Sequence, residues 1–150
     1  MTQRADSLLQ AWDETVARRA SDAAVFDTSG AVLRTFAQIG AEAAEYARMQ
    51  LANSAPGEVV AIQLGNHAAW LALLLACLRR RLVVLPLERT IAEQERATAL
   101  AVCHVALLAT EAPAAGGISL AVRSAEPVDW GEHQPVLLKL TSGTTAAPRA

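Results

Sequence analysis

Apolar positions in this chain follow two different periods. Four segments repeat their apolar residues with the spacing of one face of an α-helix: 7–19, 35–51, 67–80 and 90–101. Two short apolar runs, 24–26 and 31–33, flank the turn-rich tetrad Asp27–Gly30 and predict a hairpin. The chain therefore combines helices and strands from its first third onward.

Between the later helices lie apolar runs that are too short for helices. They cover residues 59–64, 82–87 and 104–108, and weaker strand-like runs follow at 118–122 and 136–140. The first three runs lack the alternation of a half-exposed strand, so we expect them to be covered on both faces, as in parallel sheets. The order strand, helix, strand, helix, strand predicts an α/β fold: a doubly wound, largely parallel sheet with helices on both faces, and a small hairpin near the N-terminus.

Polar residues predict where three of the helices begin. Thr35 and Gln38 have the Thr-x-x-Gln spacing of a capping box, and Thr90 and Glu93 repeat the pattern with a glutamate. Asn66, directly before the third helix, is expected to act as its N-cap. At each of these helix starts, we expect the capping side chain to accept a hydrogen bond from a backbone N–H of the first helical turn.

Composition narrows the classes of function. Of the residues, 53% are hydrophobic, which is enough for a sizeable aliphatic core, and the net charge of −2 is spread along the chain without a nucleic-acid-binding stripe. The longest apolar stretch, Ala68–Leu78, is shorter than the about 20 residues that span a bilayer. The N-terminus lacks the pattern of a signal peptide, so we expect a cytoplasmic protein without a membrane span.

The two cysteines are expected to be structural. Cys77 and Cys103 lie in apolar contexts, which favours reduced, buried thiols over a disulfide. A zinc site that joins them to His67, His104 or His133 is the alternative, but no Cys-x-x-Cys or His-x-x-x-His spacing exists. For His67, at the expected helix start, a capping role is favoured over proton transfer.

The tetrad Asp27–Gly30, with the sequence Asp-Thr-Ser-Gly, is similar to the active-site strand of aspartic proteases. That chemistry needs two carboxylates that share a proton, and the chain contains one copy. A homodimer is the alternative source of a second copy. A plain hairpin turn is the favoured interpretation.

The strongest candidate site follows the last apolar run. It comprises Thr141, Ser142, Gly143, Thr144 and Thr145, with Arg149 four residues later. A nucleotide polyphosphate needs several hydrogen-bond donors in a concave backbone, and hydroxyl side chains around a glycine supply them. The arginine adds a positive charge, so the segment is a candidate phosphate-binding loop for ATP.

Better-known motifs do not match this segment. Neither the Walker pattern Gly-x-x-x-x-Gly-Lys-[Ser/Thr] nor the dinucleotide pattern Gly-x-Gly-x-x-Gly is present. Ser142 does not lie in a Gly-x-Ser-x-Gly elbow, which argues against a serine nucleophile. Taken alone, a Ser/Thr/Gly loop after a strand is also compatible with ordinary turn chemistry.

The string Leu138–Arg149 resembles the phosphate-loop signature of the adenylate-forming superfamily: acyl-CoA synthetases, adenylation domains of peptide synthetases, and beetle luciferases. The resemblance extends upstream. Residues 33–39 look like the segment that opens the family's first long helix, 56–61 like its entry into the first core strand, and 72–87 like its helix, turn and strand.

The resemblance implies a carboxylic acid-activating ligase. The acid would attack the α-phosphate of ATP in the presence of Mg²⁺, releasing pyrophosphate and forming an acyl-adenylate, and coenzyme A or a carrier-protein pantetheine would then take the acyl group. It also implies that Thr141, Ser142, Gly143, Thr144 and Thr145 hold the β- and γ-phosphates. Arg149 would neutralise the leaving pyrophosphate. The loop is most similar to those of the acyl-CoA synthetases.

Three features depart from the family pattern. Ala146 stands where the family usually has glycine, and Arg149 where it usually has lysine. Alanine restricts the loop if that position needs a positive φ, and arginine keeps the charge with a different geometry. Arg79–Arg81 replaces a Lys-Ala-Gly-like turn after the helix.

The resemblance further implies that residues 1–150 are the N-terminal part of an adenylation domain, ending just after the loop. The segments that contact adenine and ribose, and a catalytic lysine, would lie in the remainder of a parent chain, so no catalytic residue is expected here. We therefore expect the fragment to be inactive alone. The alternative is a non-enzymatic α/β interaction module, or a degenerate ligase relative that has lost nucleotide binding. The acid and the oligomeric state stay open.

Overall fold

The computed structural model describes residues 3–112 and 117–141. Its helices are α1 Gln3–Arg19, α2 Phe36–Arg48, α3 Trp70–Arg79 and α4 Glu93–Val102. Its strands are β1 Ala23–Phe26, β2 Val32–Thr35, β3 Val59–Gln63, β4 Val83–Pro86, β5 Val105–Glu111 and β6 Ile118–Val122. This order matches the alternation that the apolar runs predict.

The main sheet has the strand order β4-β3-β5-β6. Strand β3 pairs in parallel with β4 on one side and with β5 on the other, while β6 runs antiparallel to β5. Crossovers through α3 and α4 supply the parallel strands, whereas β6 follows β5 after a short connection, which suits antiparallel pairing. The predicted doubly wound, largely parallel sheet is confirmed, with one antiparallel edge strand.

Helices cover both faces of this sheet, as the unbroken apolar runs predict. Val60 and Ile62 of β3 share a core cluster with Leu73 of α3. Their neighbours Val59 and Ala61 point the other way, into a second cluster that includes residues of α4. A strand buried on both faces has no polar side, which explains why its sequence does not alternate.

One face carries a second layer of structure. Ile39 and Ala43 of α2 form a third buried cluster with Ala72 and Leu75 of α3, and Trp12 of α1 packs against it. The amphipathic helices α1 and α2 therefore lie outside α3, which is apolar nearly all round because other elements surround it. Trp12 is therefore a half-buried part of this packing.

The hairpin β1–β2 forms around a local hydrogen-bond network. Asp27 Oδ1 accepts from the backbone N–H groups of Ser29 and Ala31, at 2.8 and 2.9 Å, and from the Ser29 hydroxyl. The hydrogen bond from that hydroxyl is the main cause that lowers the pKa of Asp27. The tetrad is therefore a hairpin turn in this structure. The capping box after it is also confirmed, since Thr35 Oγ1 accepts from the Gln38 N–H and Gln38 Oε1 accepts from the Thr35 N–H.

Two predicted helix starts are wrong. Within the described ranges, α3 begins at Trp70 without a side-chain cap, so Asn66 is not its N-cap; instead His67 Nδ1 accepts from the Ala69 N–H at 3.1 Å. Helix α4 begins at Glu93, likewise without a side-chain cap among the residues described. Thr90 precedes the helix by too many residues for a capping box, and Glu93 pairs with Arg96 inside the first turn.

Both cysteines are buried free thiols, as expected. Burial raises the pKa of Cys77 to about 12 and also raises that of Cys103. Residues 3–112 and 117–141 contain no group of His, Cys, Asp and Glu side chains that could hold a metal ion. Over the same part of the chain, no helix is long and apolar enough to cross a membrane.

Candidate functional site

The candidate phosphate loop begins at the edge of the main sheet. Thr141 is described and exposed. The other predicted site residues lie outside the described residues: Ser142, Gly143, Thr144, Thr145 and Arg149. The structure therefore shows where the loop starts, and the roles of its individual side chains stay predictions.

The residues that lead into the loop, 136–141, are called the edge segment. Leu137 forms a parallel bridge with Val84 of β4. The Val84 N–H donates to the Val136 carbonyl at 3.0 Å, and the Leu138 N–H donates to the Val84 carbonyl at 2.8 Å. The predicted strand over 136–140 is thus present as one bridge beside β4, on the side of that strand that β3 leaves free.

Side-chain burial shows that the edge segment alternates. Leu138 and Leu140 are half-buried against the core cluster that α4 covers, whereas Leu137 and Lys139 are exposed. This is the pattern of an extended chain with one face on the core. A shift of one residue would exchange the buried leucines for Leu137 and Lys139, so the register of the segment is specified by its sequence.

Thr141 emerges at the edge of the sheet where the parallel strands end, which we call the carboxyl rim. The edge segment runs in the same direction as β4, and Thr141 comes four residues after the bridge at Leu137. An extended chain covers about 13 Å in four residues, which carries it beyond the bridge toward this rim. Ligands of open α/β sheets bind outside the carboxyl ends of the strands, so the loop begins where the fold favours binding.

Polar side chains form hydrogen bonds and an ion pair at the carboxyl rim, next to the ends of β3 and β5. Gln63, at the end of β3, donates through Nε2 to the carbonyls of Glu88 and Arg89 at 3.3 and 3.4 Å, and its Oε1 accepts from Arg96 at 3.3 Å. Arg89 also forms an ion pair with Glu111 at the end of β5, at 3.1 Å. Gln63 is buried, and these bonds satisfy its amide group.

The opposite edge of the sheet, the amino rim, carries a different set of contacts. Trp130 Nε1 donates to the Gly57 carbonyl at 2.7 Å, and Gln134 Nε2 donates to the Arg81 carbonyl at 2.7 Å. The Gly57 N–H also donates to the Arg81 carbonyl, at 2.9 Å. Trp130 is half-buried against the core and so anchors its loop to the body of the protein.

The three consecutive arginines support the fold at this rim. Arg79 pairs with Asp13 at 3.2 Å, and Arg80 donates to the carbonyls of Ala52 and Ser54 at 2.9 and 3.0 Å. Arg81 has φ +56, a left-handed conformation that favours glycine. The departure from a Lys-Ala-Gly-like turn therefore places an arginine where glycine would be unstrained.

Thr141 and the Cys77 thiol differ in their access to solvent. Thr141 is exposed at the carboxyl rim. The thiol of Cys77 is buried and its pKa is raised to about 12, so it is neutral near pH 7 and cannot serve as a nucleophile there. Sequence reasoning did not identify the bonds of Trp130 and Gln134, because their acceptors are backbone carbonyls far away in the sequence.

Comparison with solved structures shows the same fold in several proteins. VinN aligns with a TM-score of 0.71 and 19% identity, over 93% of this chain and 41% of that chain. The Klebsiella oxytoca NpsA N-terminal subdomain in complex with 3-hydroxyanthranilyl-AMSN aligns with a TM-score of 0.70 and 21% identity, over 93% and 38%. The Bacillus subtilis O-succinylbenzoate coenzyme A synthetase MenE, in complex with AMP, aligns with a TM-score of 0.69 and 22% identity, over 91% and 40%.

These likenesses concern the fold, and the chain spans less than half of each neighbour's length. No curated protein sequence matches the chain. The sequence pattern of one family, described as AMP-binding enzyme, matches residues 12–150, which is nearly the whole chain. Because this match covers well over half of its residues, the chain belongs to the AMP-binding enzyme family.

Proposed function

We propose that this chain is the N-terminal part of an ATP-dependent ligase that activates a carboxylic acid as an acyl-adenylate and passes the acyl group to a thiol. Membership of the AMP-binding family supports adenylate formation. The observation that carries the loop assignment is the parallel bridge between Leu137 and Val84, because it directs Thr141 to the carboxyl rim.

In this proposal the loop holds the phosphates of ATP. The residues assigned to the β- and γ-phosphates are Thr141, Ser142, Gly143, Thr144 and Thr145. Arg149 neutralises the charge of the leaving pyrophosphate. The exposed position of Thr141 fits a phosphate that approaches from solvent. When bound with ATP, Mg²⁺ supplies further neutralisation of the phosphate charge.

The catalytic contribution of these residues is electrostatic. Negative charge develops on pyrophosphate as the bond to the α-phosphorus breaks, and hydroxyl, amide and guanidinium donors stabilise it. Donors fixed before the reaction cost no reorganisation during it. The adenine, the ribose and the acid would be bound by the remainder of the parent chain.

The proposed acceptor is a thiol, either coenzyme A or the pantetheine of a carrier protein. The neighbours include a coenzyme A synthetase and an artificially fused adenylation–PCP di-domain, which supports keeping both acceptors in the proposal. The loop sequence favours the coenzyme A type. A cytoplasmic location, where ATP and coenzyme A are abundant, accompanies this proposal.

Binding of ATP to the full-length protein tests the loop assignment. The double variant Thr144→Ala, Thr145→Ala should weaken ATP binding by about tenfold or more, since two hydroxyl donors to charged phosphates are lost. Thr15→Ala is a matched control, because Thr15 is half-buried on α1 and bonds to its own helix backbone. Absent ATP binding, or binding that the double variant leaves unchanged, would favour the non-enzymatic module.

Exchange of labelled pyrophosphate into ATP tests the division of the active site. The full-length protein should catalyse acid-dependent exchange, and the isolated 150-residue chain should not. Robust exchange by the isolated chain would show that the site is complete within these residues.

A further inference from the structure

The connection from β6 to the edge segment is fixed to the sheet by two side chains. After β6 ends at Val122 the chain has no regular structure until the bridge at Leu137. Along this stretch Trp130 and Gln134 donate hydrogen bonds to the amino rim, both at 2.7 Å. Both residues precede the edge segment in the sequence, Gln134 by two positions.

The two residues that accept these bonds, Gly57 and Arg81, are themselves hydrogen-bonded to each other. Gly57 precedes β3 and Arg81 precedes β4, and the Gly57 N–H joins them by donating to the Arg81 carbonyl. Both residues have positive φ, +88 and +56. Around Gly57 there is little free space: a Cβ there would lie 3.3 Å from Trp130 Cδ1. The amino rim therefore accepts the indole ring in one close-fitting position.

Over residues 136–140, the described backbone pairing of the edge segment with β4 is short. Its bridge to β4 uses the N–H and the carbonyl of one residue, Val84. Strand β6, at the opposite edge of the sheet, pairs with β5 through five residues. A segment with such short pairing needs another constraint to prevent sliding, and a slip of one residue would turn Leu138 and Leu140 away from the core.

From these observations we infer that Trp130 and Gln134 are positioning residues for the loop that begins at Thr141. They hold the edge segment in register by donating to the carbonyls of Gly57 and Arg81, and the segment carries that register to Thr141, where the loop begins. The inference rests on the proposed function in that the loop is taken to bind ATP. The hydrogen bonds themselves do not depend on it.

The first measurement is hydrogen exchange in the full-length protein. Trp130→Phe keeps an aromatic ring and removes the N–H, and Gln134→Met keeps the length and removes the donor. Each should increase the exchange rate of the Leu138 amide by about three- to tenfold, the usual effect of losing one neutral hydrogen bond. The amides of β6 should not change. An unchanged Leu138 amide in both variants would overturn the inference.

The second measurement separates positioning from simple destabilisation. In pyrophosphate exchange, both variants should raise KM for ATP by about three- to tenfold, because a misplaced loop binds the phosphates less well. A purely structural role would lower the amount of active enzyme, and hence the apparent kcat, at constant KM. Gln134→Arg, which restores an N–H donor of similar reach, should recover most of the KM.

Two matched controls use the same substitutions elsewhere. Trp12→Phe removes an indole N–H that has no hydrogen-bond partner within the described ranges, and Gln50→Met changes an exposed glutamine. Neither should alter KM for ATP. Faster Leu138 exchange without a change in KM would show that the two residues fix the segment but do not position the loop. If the unmodified protein showed no exchange of pyrophosphate, the proposed function would fail while the hydrogen-exchange result would still stand.

Discussion

The two faces of the main sheet are covered to different depths. On one face α3 packs directly on β3 and β4, and α1 and α2 pack over α3. On the other face α4 is joined by half-buried side chains from irregular segments: Ile91, Trp130, Leu138 and Leu140. The first face is a two-layered core, and the second is a single layer completed by the chain that leads to the candidate loop.

This difference shows which part of the core has room to adjust. A side chain enclosed by two layers cannot relax without moving several elements, whereas a single layer can shift. The two faces also offer matched probes. Each face has a buried cysteine, Cys77 within α3 and Cys103 directly after α4. Each covering helix is also followed by a residue other than glycine with positive φ, Arg81 or His104.

The largest difference is expected from leucine truncation. Leu73→Ala on α3 should lower the free energy of unfolding by about 3–5 kcal/mol, because Leu73 is fully buried between layers and the cavity cannot collapse. Leu100→Ala on α4 should cost about 2–3 kcal/mol, since the single layer can close over it. Urea denaturation measures both. An equal or larger loss for Leu100→Ala would contradict the difference in depth.

The two thiols should give different alkaline stability. The folded protein holds the Cys77 thiol neutral to about pH 12, whereas its pKa in the unfolded chain is near the ordinary 9.0. Because the folded pKa is raised, the contribution is complete below about pH 9 and is lost as pH rises toward 12, at about 1.4 kcal/mol for each pH unit.

Urea denaturation between pH 8 and 11 measures this slope. Cys77→Ala should flatten the alkaline fall in stability more than Cys103→Ala does, because burial raises the pKa of Cys103 as well but Cys103 lies in the shallower core. Identical slopes for the two variants would count against the difference between the faces.

A glycine pair tests the dependence of the shallower face on its irregular segment. Gly57→Ala should cost about 1–2 kcal/mol, because φ is +88 and the added Cβ meets Trp130, which a hydrogen bond fixes in place. Gly65→Ala should cost less than about 1 kcal/mol, because its φ of +57 is easier for alanine and its Cβ meets the flexible Arg89 side chain. Thermal unfolding compares them, and a larger cost at Gly65 would contradict the prediction.

The smallest effects are expected at the ends of α3 and α4. Arg81→Gly and His104→Gly should each stabilise the protein by about 0.5–1 kcal/mol, because φ values of +56 and +51 strain any residue with a Cβ. The gain should be similar on both faces, since it depends on the backbone alone. Arg80→Gly is the control: φ there is −87 and its side chain holds two carbonyls, so this variant should be destabilised.

The sequence predicts most of the sheet because its strands are contiguous apolar runs. It also predicts the capping box at Thr35, where the two side chains involved are local. The similar pattern at Thr90 does not form a capping box because α4 begins later, at Glu93. In that first turn Arg96 bonds locally to Glu93 and, across the fold, to Gln63 of β3. A sequence pattern therefore predicts a helix start correctly where the cap is formed by residues that are close together in the sequence.

The candidate site also has one part that is local in the sequence and one part that depends on distant residues. Its sequence motif is local, and family membership supports the class of chemistry without testing the individual loop residues. The support of the loop is not local, since the indole of Trp130 and the amide of Gln134 bond to backbone carbonyls, which carry no side-chain signature. The sequence also does not reveal the left-handed conformation of Arg81, because a positive φ is typical of glycine and not of arginine.

The amino-rim contacts also bear on the order of folding. The Trp130 bond to Gly57 spans 73 residues and the Gln134 bond to Arg81 spans 53, whereas each crossover from β3 to β4 and from β4 to β5 closes over a much shorter stretch. Contacts between residues that are far apart in the sequence cost more chain entropy to form. We expect the edge segment to dock after the three parallel strands have paired. In pulse-labelling hydrogen exchange, the Val60 amide should therefore become protected before the Leu138 amide. Under the proposed function, ATP binding would then be the last property that the refolding protein acquires.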